Sequence, residues 1–413
     1  GYAEAQGVLS IGRREDSTTF DPITTAQNVD YWVYGNIFET LIATDRTGTE
    51  LAPGLAERWE MSDDGLTYTF HLRESRFSDC TPVTASDAAF TLLRVRDDPG
   101  SLWADYYATI ADARAVDDRT LVVSLHEPWV PFLAMLAVPA LAVLPQATFA
   151  ADPEGFAERP VGSGAFRVAE WRRGDRLILA RNDCYWNADA VSLEGVEWIS
   201  IPDDNSRVLS LQTGQIHAAI FVPFSRVAEL QQDPNLNVML HTSTREDALL
   251  INHTVEPLND VRARMALDYA IDRQAIVDVV TFGHGSPANS FLPQGFIGWN
   301  PDNPSRERDV ARARELLAEA GVENLTLELN VKARDEVDEQ TAVLIQQQFA
   351  EAGITVNIRR VDPATQWDMF VEGDFQISVG YFTKDVPDPD QKTTFVLGHD
   401  ANLNYLTRYE SAE

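Results

Sequence analysis

ARELLAEAGVENLTLELNV (residues 313–331) and LIQQQFAEAGITVNIRRV (344–361) repeat one pattern. Each is an amphipathic helix that ends in Ala-Gly and is followed by a β-branched strand. Gly321 and Gly353 stand where a helix exits through the left-handed conformation, which glycine adopts without the steric cost of a Cβ. Helix, glycine and strand in succession make half of a right-handed βαβ unit, so this region is expected to hold a partly parallel sheet. DFQISVGYF (374–382) reads as the next strand. In an open α/β sheet ligands bind beyond the carboxyl ends of strands, which makes the loop after this strand the expected ligand-facing segment.

That loop is FTKDVPDPD (382–390), with Asp385, Asp388 and Asp390 close together and two of them beside prolines. A calcium loop needs alternating oxygen ligands, a glycine at its turn and a distant bidentate acid; here two prolines stiffen the loop and no glycine occupies it. A solvated turn suits Asp388 and Asp390, which can cap the following TTFVL segment. Asp385 differs, because it lies just beyond the aromatic pair Tyr381 and Phe382 at the strand end. A carboxylate beside aromatic surface is suited to an ammonium group, and desolvation strengthens such a pair when the charge is matched.

Upstream, the chain reads as β-rich. TYTFHL (67–72) alternates apolar and polar residues after an SDDG turn, whose Gly65 supplies a positive φ. Ser86 and Asp87 are expected to cap the helix SDAAFTLLRV. TLVVSL (120–125), GSGAFRVAEW, RLILAR and VEWISI continue the strands to about residue 202. VPFLAMLAVPALAVLP (130–145) is shorter than a membrane span and interrupted by three prolines, so a buried helix followed by a strand is expected. VRARMALDYAIDRQAIVDVV (261–280) carries Met265, Tyr269, Ile276 and Val280 near helical spacing, with Asp260 as its N-cap.

The totals exclude several classes. The 413 residues exceed one ordinary core, so two or three domains are expected. A net charge of −31 argues against nucleic acid or an anionic membrane as partner, since both need clustered cations. The basic residues are nearly all arginine; Lys332, Lys384 and Lys392 are the exceptions. The opening GYAEAQGVLSIGRRED reads as a mature start, a polar tail leading into VLSIGR. Two cysteines, Cys80 and Cys184, are too few for a structural zinc cluster and leave both a disulfide and two free thiols open. The seven histidines form no HExxH or HxH, and no GxSxG elbow or P-loop occurs. VGSGAF (161–166) has GxG without the third glycine and reads as a backbone turn. Trp32, Trp367 and Tyr405 read as core, and His284 in TFGHGSP as part of a turn. No enzyme and no cofactor is expected.

Four long segments, in order along the chain, carry a resemblance. ELAPGLAERWEMSDDGLTYTFHLR (50–73), FSDCTPVTASDAAFTL (77–92), RPVGSGAFRVAEWRRGDRLILARNDCYW (159–186) and LLINHTVEPLNDVRARMALDYAIDRQAIVDVV (249–280) resemble the signature regions of the dipeptide/oligopeptide/nickel family (family 5) of ABC-importer solute-binding proteins. Cys80 stands where that family usually has glycine, in a loop one residue short. The chain stops at YLTRYESAE, where members usually run on for several dozen residues.

The resemblance implies an α/β fold with mixed sheets, the three-domain clamshell of the large periplasmic binding proteins. Domain I would comprise 1–40 and 160–246, domain II the insertion 41–159, and domain III 247–413 with its C-terminal part missing. Ligand would be enclosed between I and III by hinge closure. In peptide-binding members an aspartate in an aromatic-x-x-Asp segment pairs with the ligand ammonium; here that residue is Asp385. The backbone of Tyr381, Phe382 and Thr383 would pair with the ligand main chain as in strand addition. A basic residue holds the ligand carboxylate in dipeptide-binding members, and Lys332 and Arg334 in NVKARDEV are the candidates. The implied protein is a secreted or membrane-tethered monomer that captures a short peptide or similar amine-bearing solute for an ABC permease. The same scaffold with a sugar, opine, metal chelate or other cation is the alternative.

Overall fold

A computed structural model describes residues 7–45, 48, 50–241, 243–384, 388–390, 392–393 and 406–409. The chain divides into two compact units, residues 1–222 and 223–413.

The first unit contains strands β1 (Val8–Arg13), β2 (Ile42–Thr44), β3 (Leu51–Pro53), β4 (Ala56–Met61), β5 (Thr67–Leu72), β6 (Ile110–Asp117), β7 (Thr120–Leu125), β8 (Phe166–Arg172), β9 (Arg176–Arg181), β10 (Gly195–Ser200) and β11 (Ala218–Ala219). They form a five-stranded sheet ordered β11-β1-β10-β9-β8, a four-stranded sheet β4-β5-β7-β6 and the pair β2-β3. The larger sheet is mixed, because β1 is parallel to β10 and β11 whereas β9 is antiparallel to its neighbours. TYTFHL and TLVVSL are strands as expected, each burying alternate residues. Gly65 takes a φ of +69° in the turn before β5.

VGSGAF is a close crossing of two backbones. A Cβ on Gly162 would lie 2.0 Å from the carbonyl oxygen of Ile37, and one on Gly164 would lie 2.6 Å from that of Asn36. Cys80 and Cys184 are joined in a disulfide with Cα atoms 5.4 Å apart. Cys80 adopts a φ of +67°, the left-handed conformation that favours glycine, and its N–H donates to the Phe77 carbonyl at 2.8 Å. The bond anchors that turn to the segment after β9.

Three local expectations are corrected. The helix Ala85–Asp97 is capped by Thr84, whose hydroxyl accepts from the Asp87 N–H while Asp87 bonds back to the Thr84 N–H. Ser86 sits inside the helix, so the capping box is shifted to Thr84-x-x-Asp87. In 130–145 the helix is a single turn, Phe132–Met135, followed by a 3-10 turn, Pro139–Leu141, and residues 142–145 are buried without joining a strand ladder. The prolines break both elements. Finally, 261–280 is two helices, Val261–Ala270 capped by Asp260 and Arg273–Val280 capped by Asp272.

The second unit contains β12 (Glu246–Ile251), β13 (Thr326–Lys332), β14 (Thr355–Val361) and β15 (Ile377–Phe382), ordered β12-β15-β13-β14. β13 is parallel to β14 and β15, as the repeated helix-glycine-strand pattern requires, and β12 is antiparallel to β15. Gly321 and Gly353 have φ of +70° and +84° after the helices Val310–Glu319 and Glu336–Glu351. Leu327, Leu329, Val331, Ile377 and Val379 pack on one face of the sheet with Leu316, Ile345 and Phe349 from those helices. Leu250, Val361, Met369, Phe370 and Phe375 form a smaller cluster that includes helix Pro363–Glu372. Burial of each such side chain contributes about 1.5–3 kcal/mol, which fixes the sheet and therefore the position of its carboxyl edge.

Candidate functional site at the carboxyl edge of the second sheet

Register brings distant residues together here. β13 and β15 end at Lys332 and Phe382, while β12 begins beside them, with Asp247 opposite Tyr381 and Glu246 opposite Phe382. The ladder between β15 and β13 covers Leu329↔Ile377 and Asn330↔Ser378 alone. Beyond Ser378, among the described residues, the ladder pairs β15 with β12.

Tyr381 lies beneath two cations. The Arg245 guanidinium carbon is 3.9 Å from the ring centroid and Lys332 Nζ is 4.5 Å from it. Arg245 Nε also donates to Asp247 Oδ1 at 3.0 Å. Asp338, in the first turn of helix Glu336–Glu351, is 0% exposed, and neither carboxylate oxygen has a hydrogen-bond partner among the described residues. Arg245 Nη2 reaches Asp338 Oδ1 only at 3.9 Å. Burial first, and then the charges of Asp335 and Asp247, push the Asp338 carboxyl up to about 7, against the opposing pull of Lys332 and Arg245.

Phe382 has a similar arrangement. Lys392, 3% exposed, pairs with Glu246 and lies with Nζ 5.4 Å from the Phe382 centroid. Burial raises Glu246 and lowers Lys392, with the ion pair opposing both shifts. Lys384 is 5% exposed, with Nζ 4.5 Å from the Phe296 centroid and no hydrogen-bond partner among the described residues. Burial lowers its ammonium to about 8 against the pull of Asp388. Its backbone is tied to Thr244, whose hydroxyl donates to the Lys384 carbonyl at 3.0 Å and accepts from its N–H at 3.2 Å. All three lysines of the sequence thus converge on one sheet edge, each over an aromatic ring.

Of the residues expected from sequence, Tyr381, Phe382, Thr383 and Lys332 come together at this edge. Arg334 is exposed, with a φ of +66° and its N–H donating to Glu339 Oε1 at 3.0 Å. Asp385 lies outside the described residues, as do residues 386–387 and the TTFVL segment beyond Thr393. Asp388 Oδ1 accepts the Asp390 N–H at 2.9 Å in a local turn. Trp367 is partly buried against the smaller apolar cluster, Trp32 packs with Phe221 at 5.3 Å, and Tyr405 is outside the described residues. Arg245, Asp338, Glu246, Lys384 and Lys392 were not anticipated.

The family model for bacterial extracellular solute-binding proteins, family 5 (middle), matches residues 50–404. The chain belongs to this family. Glutathione-binding protein GsiB of Escherichia coli strain K12 is 30% identical over 382 residues, covering 92% of this chain and 74% of the relative. Among solved structures, the Helicobacter pylori periplasmic binding protein DppA with the peptide STSA is 27% identical, with a TM-score of 0.87 over 97% of this chain and 80% of that one. The binding protein AgaA of A. tumefaciens R10, in complex with agropinic acid, is 27% identical, with a TM-score of 0.91 over 98% of this chain and 83% of that one. The family 5 fold is that of the periplasmic binding proteins, α/β with mixed sheets, as the sequence implied. Family 5 proteins are the solute-binding components of ABC importers and work with permease subunits outside the cytoplasmic membrane. Among the described residues no helix is long and apolar enough to cross a membrane.

Proposed function

We propose that this family 5 protein captures a short peptide or a similar amine-bearing solute and hands it to its permease without making or breaking a covalent bond. The end of β15 at the carboxyl edge of the sheet carries this reading. Tyr381 and Phe382 pair with Asp247 and Glu246 of β12, and among the described residues the ladder to β13 covers Leu329↔Ile377 and Asn330↔Ser378, which supports an extended ligand adding as a strand beside residues 381–383. Such pairing gives affinity without reading side chains, which suits a carrier of varied peptides. Asp385, two positions further on, is the proposed partner of the ligand ammonium, and Lys332 the proposed partner of its carboxylate. The reading is supported by the glutathione and peptide ligands named for GsiB and DppA. Agropinic acid in AgaA, together with Lys332 and Arg245 at this edge, favours an opine-type acid as the second reading.

A monomer is proposed, tethered at or free of the membrane surface, with residues 41–159 as a domain of their own. The separate four-stranded sheet β4-β5-β7-β6 supports that division. Mass spectrometry of solute extracted from the purified protein tests the cargo directly, a peptide being expected and an opine or sugar overturning the reading. Calorimetry with the recovered solute then tests the anchor. Asp385→Ala is expected to cost about 2–5 kcal/mol, the scale for a buried ammonium left unpaired; unchanged affinity removes Asp385 from the site.

A further inference from the structure

Asp338 is a buried acid whose charge nothing completes. Neither of its carboxylate oxygens accepts a hydrogen bond within the described residues, and its one ion-pair contact is 3.9 Å long. Native proteins rarely leave a buried carboxylate in that state, because desolvation without compensation is costly. The charged groups facing it come from every neighbouring element: Asp335 at the helix N-cap, Lys332 at the end of β13, and Arg245 and Asp247 on the approach to and within β12. Tyr381 on β15 lies under Arg245 and Lys332. Two cations therefore share three carboxylates. Arg245 is held by Asp247, whereas Lys332 has no salt-bridge partner among the described residues.

We infer that Asp338, buried behind Lys332 and Arg245, is a positioning residue whose protonation is coupled to the arrival of a ligand carboxylate at the seat already proposed on Lys332. This deepens the proposed function and rests on it for the choice of peptide probes. A carboxylate arriving at Lys332 adds a fourth negative group to a cluster already short of cations. The carboxyl group with no hydrogen bond to lose is the one that neutralises, so one proton moves from solvent to Asp338 as the anion docks. A cationic ligand group would drive the opposite transfer. With its carboxyl raised to about 7, Asp338 exchanges this proton near neutral pH.

Calorimetry of the full chain with tri-alanine and with glutathione, each as free acid and as C-terminal amide, tests the coupling in two buffers of different ionisation heat. The free acids are expected to bind with uptake of a fraction of a proton at pH 7. Their affinity should rise as pH falls from 8 to 6, by no more than about tenfold per pH unit for one linked proton. The amides should bind more weakly and without uptake, and Asp338→Asn should abolish both the uptake and the pH slope. Proton release, or uptake that persists in Asp338→Asn, overturns the inference. If that variant fails to fold, Lys332→Met replaces it and should lose both the uptake and the preference for acid over amide. If no peptide binds in any form, the peptide reading fails, and succinate in the same two buffers decides the inference alone. Succinate binding with Asp338-dependent uptake sustains it; no binding, or binding without uptake, overturns it.

Discussion

Asp30 and Asp338 occupy the same place in two different helices. Each is the third helical residue, and each is 0% exposed. Asp30 accepts three hydrogen bonds, from the Thr18 N–H at 2.7 Å, the Thr18 hydroxyl at 2.6 Å and the Thr25 hydroxyl at 2.7 Å. Asp338 accepts none among the described residues. Burial raises both carboxyls, but only at Asp30 do hydrogen bonds oppose the rise. The buried arginines of the first unit are also hydrogen-bonded: Arg13 to Asp16, Ser17 and the Val29 carbonyl, Arg207 to Asp204 and three carbonyls. Equal burial thus means different things. In the first unit charge is used up in holding the fold, and at the edge of the second it is left in reserve.

The contrast can be broken at several points. The first unit also has a covalent tie, and replacing Cys80 and Cys184 together by serine should cost about 4 kcal/mol, since the bond closes a loop with a sequence separation of 104. Hydrogen exchange should show the loss in residues 7–222. Asp30→Ala should cost about 3 kcal/mol in denaturant titrations, because it strands two threonine hydroxyls and a backbone N–H. Asp338→Ala should cost far less, and equal losses would erase the distinction between the two aspartates.

A pH series sharpens the same comparison. With its folded carboxyl near 7 and an unfolded value of about 4, Asp338 contributes stability below about pH 4 that disappears as pH rises to about 7. The melting temperature of Asp338→Asn should therefore gain on the wild type by a few degrees across that window and run parallel above it. Parallel curves throughout would mean that Asp338 is ordinary. The smallest expected effect separates two neighbours: Lys332→Ala should weaken an acidic ligand about tenfold, whereas Arg334→Ala, exposed and held by its backbone, should stay within about twofold.

Much of the second sheet was legible because its signals are local. Two helix-glycine-strand repeats determine parallel strands, and an aromatic-rich strand end marks where a ligand-facing loop begins. Tyr381 and Lys332 followed from that reading together with the family resemblance. Asp338 did not, since EVDEQT reads as an ordinary acidic first turn on a solvated helix. Its surroundings include Arg245, which approaches it from just before β12, far away in sequence. Glu246 and Lys392 were missed for the same reason, their pairing joining residues 146 positions apart in sequence. The Thr84 cap was recoverable, because TASD carries the Thr-x-x-Asp signature outright. The break at Asp272 was recoverable too, from the aspartate that opens DRQAIVDVV.

The convergence of every lysine on one edge gives the protein a chemical address. Lysine carries every side-chain amine in this sequence, so isotope-labelled lysine incorporated during expression reports on that edge without any engineered handle. Labelled Lys332, Lys384 and Lys392 would yield three sets of side-chain resonances, each beside a different aromatic ring, and solute added to the solution could be watched from inside its own berth.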